Sequence, residues 1–267
     1  PGYKSRLQYS DAEYFNLSDK DTRIATTRRE QKFPTMEQIK HVINSMPVET
    51  DLERRNRALV SFTILTGARD SAIASLKLKH IDLITGCVNQ DARDVNTKFS
   101  KTFNTFFFPV GEEILSIMSE WVLFLRDKKM WGNGDPLFPA THMALDDNHQ
   151  FKAVGLSRNH WSNATPIRTI FHESFEKAGL PYFNPHSFRN TLVQLGEEVC
   201  KTPEQFKAWS QNLGHEKVLT TFISYGEVAC HRQGEIIRNL ATHHKPISRD
   251  ADEIAEAIYR KLRSDRL

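Results

Sequence analysis

Cysteine is scarce in this chain: 3 among 267 residues, at Cys87, Cys200 and Cys230. An odd number without CxxC spacing offers neither a disulfide framework nor a thiolate zinc site, and it suits a reducing compartment, the cytoplasm. Long apolar runs are missing as well. The longest, residues 58–65 and 121–125, are far too short to span a bilayer, so no membrane association is expected. Charge of one sign is not in excess either. The 36 basic residues nearly match the 33 acidic ones, for a net charge of +3. Any polyanionic partner must therefore be recognised by where the cations lie. There is no Gly-rich phosphate loop, no GxSxG elbow and no HExxH. His172 and His215 each begin an HE pair without the second histidine, and His243-His244 has no third ligand nearby. Nucleotide hydrolysis, serine esterase chemistry and zinc hydrolysis have no foothold, and neither metal nor cofactor is expected.

What remains is an ordinary globular composition, long enough to bury a sizeable core. The chain opens Pro1-Gly2 without methionine or a secretory apolar core, as expected of a segment cut from something longer. Residues 1–32 are polar, with a basic cluster at Arg23, Arg28, Arg29 and Lys32. They read as a linker or the tail of a missing N-terminal domain, with packing of their tyrosines on the main body as the alternative. At Phe33-Pro34-Thr35 the pattern becomes helical, Thr35 serving as N-cap to MEQIKHVINSM. A second helix over 52–65 starts polar (ERRNR) and ends apolar (ALVSFTIL), so its last turns must be buried, with Gly67 as its exit. Arg69 follows at once, ahead of a short helix over 71–76.

From Lys77 to Val110 the pattern turns to strands: LKLKHIDLIT, CVNQDARDVNTK and TFNTFFFPV. A small three-stranded antiparallel sheet is expected, with a tight turn near 98–102 and Phe106, Phe107 and Phe108 in a core strand. Helices are expected over 112–130, 158–179 with Pro166 near a start or kink, 187–200, 203–213, 217–225 and 232–240. The fold class is thus α+β, mainly α-helical, with one domain over 33–245 and a separate amphipathic helix within 246–267.

Chemistry concentrates in three stretches. In NPHSFRN, His186 precedes Arg189 by three residues, a spacing that shares one helical face. In LGHEKVLTTFISYG, Tyr225 follows His215 by ten. Arg69 sits on its turn behind a buried helix. A phosphodiester under in-line attack develops charge on its non-bridging oxygens, and fixed guanidinium forks suit those oxygens well. Two arginines, two histidines, a hairpin lysine and a late tyrosine are what transesterification of a nucleic-acid phosphodiester through a phosphotyrosine would need.

Jointly and in order, these stretches resemble the catalytic domain of the tyrosine recombinases, the phage integrase family. TGARDSAIASLKLKHID is similar to that family's first arginine box, NPHSFRNT to its HxxR box and LGHEKVLTTFISYG to its closing box. The family's hairpin lysine lies eight residues before a strand-ending proline. SKTFNTFFFP puts Lys101 eight before Pro109, with Lys98 as second candidate. The resemblance covers about residues 33–240. Two departures stand out: Ala72 occupies a position where the family usually carries a carboxylate, with Asp70 displaced by two, and the tyrosine falls one residue later than in many relatives.

The resemblance implies a catalytic set of Arg69, Lys101, His186, Arg189, His215 and Tyr225. Tyr225 attacks the scissile phosphate of double-stranded DNA, leaving a 3′-phosphotyrosine and a 5′-hydroxyl without ATP or metal. His186 accepts the phenolic proton, Lys101 protonates the leaving oxygen, and His215 donates to a non-bridging oxygen beside the arginines. It also implies a homotetramer on synapsed DNA, a monomer in isolation, and a C-terminal helix docked on a neighbour or on its own domain. Type IB topoisomerase-like relaxation, or a catalytically idle DNA-binding regulator on the same fold, are the alternatives. Arg54, Arg55, Arg57 and residues 158–160 read either as further phosphate contacts or as solvated faces, and no target sequence is legible.

Overall fold

The computed structural model describes residues 33–97, 100–146 and 149–214. The expected tail over 1–32, the helices at 217–225 and 232–240, the segment 246–267, and Lys98, His215 and Tyr225 lie outside the described residues.

Thr35 does cap the first helix, α1 (Met36–Ser45). Its hydroxyl accepts from Gln38 N while the Gln38 side chain accepts from Thr35 N, a reciprocal capping box. The same device at Thr50 and Glu53 starts α2 (Asp51–Thr66). The second half of α2 is buried on every side, and its two threonine hydroxyls avoid being orphaned by bonding back one turn: Thr63 to Leu59 O and Thr66 to Phe62 O, both 2.8 Å. Gly67 ends the helix at φ 61°, and a Cβ there would lie 2.9 Å from Leu213 Cδ2 and 3.0 Å from Leu192 Cδ1. Backbone conformation and close packing both exclude a side chain at this turn.

A short helix α3 (Asp70–Ile73) follows, then a 3-10 turn (Leu78–His80) and three strands: β1 (Ile81–Asp82), β2 (Cys87–Gln90) and β3 (Phe103–Phe106). They pair antiparallel in the order β1-β2-β3, Ile81 opposite Val88 and Gln90 opposite Phe103. The sheet is therefore present, but much of its expected first strand is the 3-10 turn. The expected tight turn at 98–102 falls partly on residues 98 and 99, outside the described ones, and the connection between β2 and β3 takes up residues 91–102. Phe108 is buried, whereas Phe106 is 55% exposed, so the phenylalanine run does not form one core strand.

Helix α4 (Glu112–Leu123) packs along α2, and a π-helical turn (Phe124–Lys128) extends it. Next comes a feature the sequence did not announce, the hairpin β4 (Thr141–Leu145) and β5 (Phe151–Leu156). Helix α5 (Thr165–Lys177) begins where Pro166 dictates, in its first turn, so residues 158–164 are not helical as expected. A 3-10 turn (Pro185–Ser187) leads into α6 (Phe188–Val199), and a third capping box at Thr202 and Gln205 starts α7 (Pro203–Asn212). At the α6–α7 crossing Trp209 Nε1 donates to Leu192 O at 2.9 Å. A Cβ on Gly196 would stand 2.6 Å from that nitrogen, so the crossing requires glycine. The whole is mainly α-helical with a small antiparallel sheet, and one apolar core runs from Ile39 to Leu213.

Candidate active site

Arg189 is where the chain converges. It lies on the first turn of α6, 4% exposed, and its guanidinium donates to Gly67 O at 2.5 Å and to Leu213 O in a short bond. Those carbonyls belong to the C-cap residues of α2 and α7. Two helix C-termini, each with the partial negative charge of its outward-facing carbonyls, thus point at one buried cation. That convergence offsets the cost of burying the charge. Burial and the nearby Arg69 charge still pull the guanidinium down to about 9, leaving it protonated at neutral pH.

Arg69 follows the Gly67 turn at the N-cap of α3, in extended conformation and half-buried. Burial holds its guanidinium below the ordinary range, and its electrostatic effect on Arg189 sets the two cations in one region. Among the described residues Arg69 has no carboxylate partner. Ala72, where the related boxes usually carry an acid, is 2% exposed in the core. Asp70 turns away: Oδ1 accepts from Ser71 N at 2.8 Å and Oδ2 from Arg168 Nε at 2.8 Å, tying α3 to α5.

The end of α7 is pinned three ways, and this sets where the chain leaves toward His215. Asn212 behaves as an extra strand residue, its side chain accepting from Phe106 N at 2.7 Å and donating to Phe106 O at 2.8 Å. Leu213 is held by Arg189. Gly214 sits at φ 69° with its Cα facing the Phe103 ring, which a Cβ would approach to 3.1 Å. His186 stands exposed on the 3-10 turn that Asn184 caps, directly before α6, and so a short step from buried Arg189. Lys101 lies exposed on the return arm of the 91–102 connection.

The structure corrects one reading of the basic residues. Arg55 is neither a phosphate contact nor a solvated residue. It is 4% exposed and donates to Pro139 O and Thr141 Oγ1, each at 3.0 Å, with its guanidinium 5.0 Å from the Trp161 ring centroid. Burial alone pulls it down to about 10. It staples α2 to the base of the β4–β5 hairpin. Arg54 and Arg57 spend their Nε–H groups on Val48 O and Ile43 O, and Arg158 pairs with Asp135 at 2.7 Å. His160 is half-buried and bonded to the Ala74 backbone, with burial depressing its pKa. An Arg55→Ala variant should lose about 2 to 4 kcal/mol, from charge-assisted hydrogen bonds and a cation–π contact. Its urea midpoint should fall while the salt dependence of duplex DNA binding stays unchanged. An unchanged midpoint with a shallower salt slope would make Arg55 a phosphate ligand after all.

Sequence reasoning missed Asp94. Its carboxylate takes Lys77 Nζ at 2.6 Å and Lys79 Nζ at 2.5 Å, with His80 Nε2 at 3.7 Å, and the two lysines hold it well below the usual carboxylate range. The KLKH run could have signalled a missing acid, but nothing local says which one.

The described domain is thus mainly helical, with the ends of two helices focused on a buried arginine and a second, turn-borne arginine nearby. The chain belongs to the phage integrase family, the tyrosine recombinases, whose profile it matches over residues 32–231. It is 22% identical over 230 residues to the tyrosine recombinase XerD of Pasteurella multocida, covering 85% of this chain and 69% of that protein. Among solved structures it resembles the XerA recombinase at TM-score 0.52 and 21% identity, over 82% of this chain and 66% of that one. It also resembles the Tn1549 transposon integrase (residues 82–397) in complex with circular intermediate DNA, at TM-score 0.51 and 15% identity over 80% and 68%. The chain thus spans about two thirds of the length of these relatives. The structural likenesses establish the fold. No helix among the described residues is long and apolar enough to cross a membrane.

Proposed function

We propose that the protein is a site-specific DNA recombinase that cleaves and rejoins strands through a covalent 3′-phosphotyrosine, acting in the cytoplasm on double-stranded DNA as a tetramer assembled from monomers. The observation that carries this reading is the Arg189 node. One buried guanidinium ties the turn bearing Arg69 to the residue that precedes Gly214-His215. The turn before Arg69, the HxxR helix and the Leu213 start of the closing box are therefore tied at one node. DNA as the partner is supported by the DNA-bound state of the Tn1549 integrase.

In this reading Arg69, Arg189 and His215 stabilise the non-bridging oxygens, where one preorganised donor is worth about 3 kcal/mol. The Tyr225 oxygen attacks phosphorus, its proton passing to His186. The bond to the 5′-oxygen breaks, and that oxygen takes a proton from the Lys101 ammonium. The phosphoester bond is exchanged rather than spent, so the reverse attack by a 5′-hydroxyl from another duplex reseals the strand, and neither ATP nor metal enters the balance.

The test is to incubate the protein with nicked duplexes tiled across the DNA flanking its gene, the nick releasing the short 5′-hydroxyl strand so that religation fails. A denaturation-resistant adduct on at least one duplex, formed in the presence of a chelator, is expected. No adduct on any duplex would remove the strand-transfer reading in favour of an idle DNA-binding protein.

A further inference from the structure

We propose that Asp94 is a positioning residue for Lys101, locking the 91–102 connection onto the segment that follows Arg69. The inference rests on the strand-transfer reading above.

The geometry is specific to this connection. Its outgoing arm is fastened at four points to residues 71–80. Asp94 takes both Lys77 and Lys79. Asn96 N donates to Ser75 Oγ at 2.9 Å, and Ser71 Oγ donates to Asn96 O at 3.4 Å. Val95 is 2% exposed, packed into the core. The receiving segment is itself stiff, because His80 is buried and its Nδ1 accepts from Lys77 N at 2.9 Å. Burial, first, and the neighbouring Lys79 depress the His80 pKa, so it adds no third cation to the cluster at neutral pH. The return arm is then tied to the outgoing one beside the lysine: Ala92 N donates to Thr102 Oγ1 at 3.0 Å, one residue from Lys101. Beyond Thr102 the chain enters β3, held in register by Gln90 opposite Phe103.

Asp94 is the only carboxylate described at this junction with two ammonium partners, and those partners leave the chain within ten residues of Arg69. A simple surface ion pair is worth little. Here a pair of them fixes the arm of a lever whose other arm carries the proposed proton donor. A general acid must reach its oxygen within hydrogen-bond distance to act. Loosening the outgoing arm should therefore weaken proton delivery while leaving the arginine grip and the nucleophile untouched.

Sulfur in place of the bridging 5′-oxygen separates these effects. A thiol has a pKa of about 8.5, so sulfur departs as thiolate and needs no proton from Lys101. Cleavage of the adduct-forming duplex is timed in its oxygen and sulfur forms for wild type, Asp94→Asn, Asp94→Glu and Lys101→Ala. Asp94→Asn should slow the oxygen substrate by roughly 10- to 100-fold, part of the 10² to 10⁴ that general-acid help supplies, and leave the sulfur substrate within about twofold. Asp94→Glu should recover most of the loss, and the sulfur rate itself reports that each variant is folded. Equal slowing on both substrates by Asp94→Asn with an unchanged melting temperature, or no slowing on either, would overturn the inference while the strand-transfer reading stands. Failure of sulfur to rescue Lys101→Ala removes Lys101 as proton donor, and the inference with it. A wild type that forms no adduct removes the underlying reading.

Discussion

Arg189→Lys is expected to cut adduct formation by about 10² to 10³-fold, the usual loss for a preorganised donor at a developing oxyanion, although it preserves the charge. The reason lies in shape. Gly67 O and Leu213 O are gripped by two different terminal nitrogens of one planar guanidinium. An ammonium is a single point on a flexible stem and cannot reproduce a fork. Arg189→Ala goes further. It leaves the C-cap carbonyls of α2 and α7 buried without their shared donor, and each unsatisfied group costs about 1 to 3 kcal/mol. A total near 3 to 5 kcal/mol, as for breaking a buried charged contact, should appear as a melting temperature lower by about 10 °C for a domain of this size. Denaturation and adduct kinetics together check the assignment. A lysine variant with wild-type kinetics would mean that Arg189 is only a structural staple, and an alanine variant of wild-type stability would deny even that.

Much of the local frame of the fold was legible in the sequence. The helix exit at Gly67 behind an apolar run, the cap at Thr35 and the three-stranded sheet all depend on local pattern, and local pattern is what a sequence displays. The HxxR spacing set His186 and Arg189 on one helical face, whereas His186 stands exposed on the 3-10 turn before α6 and only Arg189 lies on the helix. It could not show that Arg189 would be 4% exposed. That fact depends on Gly67 and Leu213, 122 and 24 residues away in the chain.

The misses have the same origin. Arg55 looks solvated in ERRNR, yet it lies one turn before Leu59 on the face of α2 that goes on to bury Leu59 and Phe62. Helical period alone could have flagged it, but its acceptors Pro139 and Thr141 stand 84 and 86 residues further on. Hairpin β4–β5 escaped because so little of it is buried: Phe151 is 75% exposed and Val154 54%. Without one buried face there is no apolar alternation to read. Asp94 gathers cations from 15 and 17 residues upstream across a connection that looks like any polar loop. The brace for Arg69, open after the departure at Ala72, is partly answered in the negative, since Asp70 is committed to Arg168.

Tyr225→Phe should abolish the covalent adduct altogether, a larger effect than any positioning change, because it removes the attacking oxygen while keeping the ring. A phenol with a pKa of about 10 is ionised about one part in a thousand at neutral pH, a penalty near 4 kcal/mol. A tyrosine becomes a competent nucleophile only where cations and a proton acceptor offset that penalty, as the proposed Arg69, Arg189, His215 and His186 would. The variant should still bind the adduct-forming duplex within about tenfold, since a single hydroxyl contributes only about 0.5 to 1.5 kcal/mol to a typical contact. The rival nucleophile among the described residues is Tyr182, 43% exposed beside the Arg168–Asp70 pair and so near the Arg69 turn. Burial raises its phenol pKa, with Arg168 only partly opposing the rise, so it is harder to ionise than a free tyrosine. Mass spectrometry of the trapped peptide distinguishes the two. An adduct surviving in Tyr225→Phe and mapping to Tyr182 would move the chemistry to the α3–α5 junction and leave the closing box as a binding element, whereas loss of the adduct with binding intact assigns the nucleophile to Tyr225.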